Sequence, residues 1–200
     1  MEYDMVFEGG GAKGFVFVGA MEEFEKRGHD HGRLLGTSAG AITACLLAAG
    51  YKSGEMLSAL KEKKDGKSVF TTFLGDIGQI DPQAVQQSSI RKLLREINVK
   101  VIPDPLEEEL DDSIADMFAN KPSFRHLYSF IELGGWYSAD AFLTWIEGKL
   151  NSGKFNDMPR NFGNMTLEQF YNATQKDLSL VVSDTTEGVM RVLNHRTAPN

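Results

Sequence analysis

Two short stretches hold the residues whose types and spacing suit chemistry. The first, Gly36-Thr37-Ser38-Ala39-Gly40, has the pattern G-x-S-x-G and lies between an apolar run suited to a strand and one suited to a helix. A serine so placed sits on a strained strand-to-helix turn that lifts its hydroxyl clear of the backbone, as a nucleophile requires. Gly36 and Gly40 belong to the pattern because side chains there would collide with neighbouring backbone. A helix starting at Ala39 aims its positive end at the hydroxyl. The second stretch is Gly9-Gly10-Gly11-Ala12-Lys13-Gly14. As an oxyanion loop, its Gly10 and Gly11 amides would converge on the negative oxygen of a tetrahedral intermediate, worth roughly 3–4 kcal/mol per donor.

Rival readings attach to the same residues. Gly9-x-Gly11-x-x-Gly14, after a strand and before a helix, also fits a dinucleotide fingerprint. That reading needs an acidic residue at the end of the second strand, where the serine turn stands instead; Asp30 is placed in a turn before that strand. The order Ser38, Asp184, His195 satisfies a conventional triad, although His195 closes a strand. His29 and His31 flank a turn with Asp30 as their only acidic neighbour, which favours a solvated turn over a metal site. His126, beside Phe124 and Tyr128 in pitch, reads as structural. Residues 104–116 are densely acidic with no basic residue. They lack EF-hand spacing and read as a solvated face. The apolar residues 69–80 form either a lid over the serine or a buried loop.

The elements that must position these residues follow from periodicity. A strand over residues 3–8 leads into the first glycine cluster, and a helix over 15–27 keeps its apolar residues at helical spacing. A short strand at 33–35 leads into the serine turn, and a compact helix over 41–49 follows, closed by Gly50. This strand–turn–helix–strand–turn–helix order closes most economically as a parallel sheet. Farther on, a helix over 53–64 with Ser53 as N-cap and one over 82–98 opened by Asp81-Pro82 are expected. So are a helix over 138–150 and a capped helix over 166–173 in which Thr166 and Gln169 form a capping box. Residues 178–183 and 189–194 read as strands joined by Asp184-Thr185-Thr186-Glu187-Gly188.

Composition narrows the function classes. The chain has 200 residues, 42% hydrophobic, with 13 Phe, 2 Trp and a formal charge of −7. One domain with a substantial core is expected, and disorder is excluded for most of it. Net acidity argues against nucleic-acid binding. Apolar runs near 15–21 and 41–50 are far shorter than the ~20 residues of a membrane-spanning helix. The single cysteine, Cys45, leaves no intrachain disulfide and no cysteine-rich zinc site. The opening Met-Glu-Tyr-Asp-Met lacks a basic and apolar leader, so a cytoplasmic protein is expected.

The strand, GGGAKG, helix and then GTSAG together resemble the patatin-like phospholipases, whose pattern is a G-G-G-x-[KR]-G loop followed by G-x-S-x-G. Met165-Thr166-Leu167-Glu168-Gln169-Phe170-Tyr171, the run from Asp177 to Asp184, and Gly134-Gly135-Trp136-Tyr137-Ser138 are similar to later segments of that family. The resemblance implies a three-layer α/β/α fold with a mostly parallel central sheet. It further implies a serine lipid acyl hydrolase without metal or organic cofactor. Its substrate would be a phospholipid or lysophospholipid, reached peripherally at a membrane. Ser38 becomes the nucleophile, and Gly9, Gly10, Gly11 and Lys13 the oxyanion loop. The family pairs its serine with an aspartate in D-G-G or D-G-A. The only Asp-Gly here, Asp65-Gly66, sits in a lysine-rich loop. The resemblance therefore puts the aspartate beyond Asn200, with residues 1–200 as one domain incomplete at its C-terminus. A catalytically silent module and a nucleotide-binding module remain the alternatives.

Overall fold

The computed structural model describes residues 1–75, 77–78, 80–92 and 121–200. They form two compact units: Met1–Thr72 with Phe142–Asn200, and Phe73–Ala141. The acidic run at 104–116 lies outside the described residues.

The first unit is built on a four-stranded sheet. Strand β1 (Glu2–Phe7) leads through a 3-10 turn (Gly11–Gly14) into helix α1 (Phe15–Lys26). Strand β2 (Asp30–Thr37) then leads directly into α2 (Ala39–Ala48). Strands β7 (Leu178–Asp184) and β8 (Val189–Leu193) complete the sheet in the order β1-β2-β7-β8. β1 with β2 and β2 with β7 are parallel, while the β7–β8 hairpin is antiparallel. The fold is thus α/β with a mostly parallel central sheet, as expected. Asp30 is the first residue of β2, not part of a turn before it, because β2 is longer than its apolar centre suggested.

Register places Met5 beside Leu34 and Leu34 beside Leu178. Phe7 and Tyr3, which alternate with outward residues along β1, pack edge-to-face on Phe17 and Phe24 of α1. α2 needs no amphipathic pattern because it is enclosed. Ala44, Leu46, Leu47 and Ala48 have at most 1% exposure, and burying each leucine contributes roughly 1.5–3 kcal/mol.

Helix α3 (Ser53–Leu60) stops before Lys61, four residues short of the expected end. A hairpin of β3 (Lys63–Lys64) and β4 (Lys67–Ser68) follows, turning at Asp65-Gly66, both at positive φ. An Asp-Gly turn is a strong hairpin signal, and it overrode the helical reading of the lysines. Lys52, not Ser53, is the N-cap. Ser53 is instead recruited by Glu25 of α1, which accepts bonds from its amide at 2.9 Å and its hydroxyl at 2.6 Å. A second 3-10 turn, Val69–Thr72, follows the hairpin. α6 (Asp140–Leu150) and α7 (Leu167–Thr174) flank a small hairpin of β5 (Lys154–Phe155) and β6 (Met158–Pro159). Thr166 and Gln169 form the expected capping box.

In the second unit α4 (Pro82–Gln86) starts at the expected N-cap, Asp81, whose carboxylate accepts from the Gln83 amide. The backbone turns at residues 87–88 before helix resumes at 89–92; the rest of the expected 82–98 helix lies outside the described residues. α5 (Pro122–Tyr128) carries His126, whose Nδ1 lies 2.7 Å from the Trp136 carbonyl oxygen. Ile80, Val85, Ile90 and Tyr128 form this unit's core.

Candidate active site

At the carboxyl end of β2 the chain reverses through Ser38, whose φ is 52° and ψ −124°. A non-glycine residue there stores roughly 1–3 kcal/mol of strain and persists only if its surroundings enforce it. The enforcement comes from its glycine neighbours. A Cβ on Gly36 would lie 2.3 Å from the Gly40 carbonyl oxygen, and one on Gly40 would lie 2.3 Å from the Phe7 oxygen. Only bare backbone lets β2, α2 and the end of β1 approach this closely. The Ser38 carbonyl accepts from the Ala41 and Ile42 amides at 2.9 and 3.3 Å, opening α2. Its hydroxyl caps nothing and is exposed.

The end of β1 delivers Gly9 against this serine. A Cβ on Gly9 would lie 3.2 Å from Ser38 Cβ and 3.9 Å from Oγ. The loop continues through Gly10 and through Gly11 at φ +53° into the 3-10 turn. Gly14 closes against α2, where an added Cβ would be 3.0 Å from Ala39 Cβ. No side chain caps the 3-10 turn, and among the described residues the Gly10 and Gly11 amides donate to no protein acceptor. Unspent amides at a helical N-terminus suit an anionic oxygen. Lys13 is placed differently from its neighbours: its amide donates to the Gly10 oxygen at 3.0 Å, which shapes the loop, and the residue is exposed.

The other candidates lie elsewhere. Asp177, which contacts His195 Nδ1 at 3.7 Å, precedes β7 at the amino end of the sheet. His195 stacks on Tyr171 with ring centroids 3.8 Å apart. Thr37 pairs with Val181, so Asp177 sits about 13 Å back along the strands from the serine end. Asp184 accepts from Arg191 Nε at 2.6 Å and from the Thr186 and Glu187 amides. These bonds hold its carboxyl below the usual range, the Glu187 amide contributing most. The triad order is therefore not a triad in space. Burial pushes the Cys45 thiol up to about 12, so it does not compete as a nucleophile. β2 ends in Thr37 and is followed by Ser38, not by the carboxylate that a ribose would need, and Asp30 stands at the strand's other end. Asp65-Gly66 is occupied as an exposed hairpin turn. His29 and His31 gather no metal-binding cluster among the described residues.

Sequence reasoning did not single out Arg160. Its side chain is 1% exposed and holds the far end of α2, donating to the Ala49 and Gly50 oxygens at 2.8 and 3.0 Å. A lone arginine after a short strand gives no sequence signal for such a role.

The family model described as "Patatin-like phospholipase" matches residues 5–198. The uncharacterized protein YqhO of Bacillus subtilis is 48% identical over 69 residues, a stretch covering 34% of this chain and 23% of that protein. VipD from Legionella pneumophila is 19% identical with a TM-score of 0.48, covering all of this chain and 40% of that one. The complex of ExoU with SpcU from the type III secretion system of Pseudomonas aeruginosa gives 22% identity and a TM-score of 0.42, covering all of this chain and 36% of that one. The matches thus span well under two thirds of the length of these relatives.

Proposed function

Because the chain belongs to the patatin-like phospholipase family, we propose that it is a serine lipid acyl hydrolase of the phospholipase A or lysophospholipase type. The observation that carries this reading is the placement of Gly9 against Ser38, an added Cβ falling 3.2 Å from Ser38 Cβ. It brings a strained, exposed serine up to a loop of unspent amides.

In this mechanism Ser38 Oγ attacks the ester carbonyl carbon, and its proton passes to a carboxylate. The Gly10 and Gly11 amides hold the oxyanion as the carbonyl double bond opens. Collapse expels the protonated alcohol and leaves an acyl-serine, which water hydrolyses to free fatty acid and regenerated serine. No carboxylate bonds to the Ser38 hydroxyl among the described residues, and the proton acceptor in this proposal is an aspartate from sequence after Asn200. Gly36 and Gly40 hold the turn, and Gly9 and Lys13 shape the oxyanion loop. No metal or organic cofactor takes part. The enzyme works in the cytoplasm, peripherally at lipid surfaces; no described helix is long and apolar enough to cross a membrane.

The test is fatty-acid release from phosphatidylcholine and lysophosphatidylcholine vesicles by the protein extended past Asn200. Release that Ser38→Ala abolishes is the expected result. Tight NAD binding without release would establish the nucleotide-binding reading instead. Neither activity would leave the silent module, favoured as second reading because no carboxylate among the described residues bonds to the Ser38 hydroxyl.

A further inference from the structure

An apolar slot opens beside the serine turn, lined, apart from Gly11, by residues that the mechanism above does not use. Its rim is formed by Gly11 and Phe15 from the first loop and helix, Ala39 and Ile42 from α2, and Phe70 from the second 3-10 turn. Its floor is Thr43, Leu46, Met56 and Leu60. Burial increases along it. Phe15 at the rim is 38% exposed, whereas Leu46 and Met56 at the floor are 0% exposed. Ala39 and Gly11 directly follow Ser38 and Gly10 in the chain, so the open end lies at the serine and its amide loop.

The slot's shape follows from helical spacing. Ala39, Ile42, Thr43 and Leu46 recur at three- and four-residue intervals and form one stripe of α2 leading away from the serine. Seven helical rises from Ala39 to Leu46 make that stripe ~10 Å long. Met56 and Leu60, one turn apart on α3, face it. The one polar group on the floor is already satisfied, because the Thr43 hydroxyl donates to the Ala39 oxygen at 3.2 Å. A floor whose one hydroxyl already donates within its own helix, and which is otherwise apolar, suits a hydrocarbon chain. The cavity volume is about 20 Å³, close to the space of a single water. Phe15 and Phe70 approach each other at the rim with ring centroids 5.7 Å apart.

Resting on the reading of Ser38 as nucleophile, we infer that this slot is the acyl-chain subsite and that it ranks substrates by chain length. The first carbons of the acyl group enter at Ala39 and run toward Leu46. Met56 and Leu60 limit the depth, so short acyl groups are favoured over long ones. The unbranched Met56 side chain is the adjustable part of the floor.

The test uses alkylphosphonofluoridates carrying a butyl or a dodecyl chain on phosphorus, applied to the protein extended past Asn200. Ser38 Oγ forms the O–P bond, fluoride leaves, and the serine proton goes to the medium. The alkyl chain occupies the acyl position, so labelling rates report the slot without needing turnover. The butyl reagent is expected to label faster. Met56→Ala should raise the dodecyl-to-butyl rate ratio about tenfold, and Ile42→Trp, which fills the rim, should lower it by a similar factor; methylene-scale differences in apolar pockets have this size. If the floor variant fails to fold, the rim variant and its converse, Ile42→Ala, carry the test. Labelling of Ser38 with an unchanged ratio in the folded variants overturns the subsite but leaves the nucleophile standing. Absence of Ser38 labelling by either reagent overturns both.

Discussion

The two ends of α2 are built on opposite plans. At its start Ser38 is strained, exposed and uncapped, and the neighbouring Gly10 and Gly11 amides have no described protein acceptor. At its far end the terminal carbonyls are tied down by a buried side chain. Arg160 binds the Ala49, Gly50 and Ser152 oxygens and both Glu55 oxygens, with its guanidinium 3.9 Å from the Tyr51 ring centroid. The Tyr51 hydroxyl in turn donates to the Lys149 oxygen at 2.8 Å. Hydrogen-bonding capacity is left open where chemistry is proposed and taken up by Arg160 where the helix is anchored. Strain of the kind seen at Ser38 persists only when the surrounding structure enforces it, here the close approach at Gly36 and Gly40.

This contrast can be broken at either end. Ser38→Ala should reduce ester hydrolysis by at least about a thousandfold while leaving the fold intact, and Ser38→Gly should stabilise the protein by about 1 kcal/mol through relief of positive φ. Arg160→Met should do the reverse. The buried Ala49 carbonyl and the part-buried Gly50 and Ser152 carbonyls lose their donor, at a cost of roughly 3 kcal/mol, read as a fall in melting temperature of about 6–12 °C. Arg160→Lys should not restore it, because a point charge cannot reach the same acceptors. Equal stability loss from Ser38→Ala and Arg160→Met would erase the distinction between the ends.

Gly9→Ala sharpens the same comparison. The added methyl would press on Ser38 Cβ at 3.2 Å, and a small displacement of the nucleophile is expected to cost about a hundredfold in kcat/KM with little change in melting temperature. The smallest expected effect is one of pH. Burial holds His31 below its usual 6.5, with Lys176 next in effect and Asp30 opposing. As pH falls below 6.5 the unfolded chain takes up the proton first, so stability declines from there down to the folded value and is flat above. His31→Gln should flatten that decline in denaturant titrations.

The serine end was legible from sequence because its rules are local. Gly36 is demanded by backbone contact within one turn, Gly40 completes the local G-x-S-x-G pattern although what it meets is the end of β1, and Asp81 before Pro82 and the Thr166–Gln169 box are local as well. The anchored end was not legible, since Arg160 meets Ala49 and Glu55 over more than 100 positions of chain. Ser53 shows how tertiary demand displaces a local rule: a good N-cap residue is taken by Glu25, and Lys52 moves to the cap. The lysine pair after Leu60 failed as helix because Asp65-Gly66 favours a hairpin more strongly than the preceding residues favour another turn. The glycine loop had two sequence readings, and what bears on the choice is spatial: Gly9 meets Ser38, and β2 carries its only carboxylate, Asp30, at the wrong end.

The central claim is that Ser38 is a nucleophile presented to the Gly9–Gly11 backbone. Its most direct test is peptide mapping after treatment of the protein extended past Asn200 with a fluorophosphonate. A single adduct on Ser38, absent from Ser38→Ala and slowed in Gly9→Ala, is the predicted result. No adduct, or an adduct on another residue with Ser38 unmodified, would contradict it.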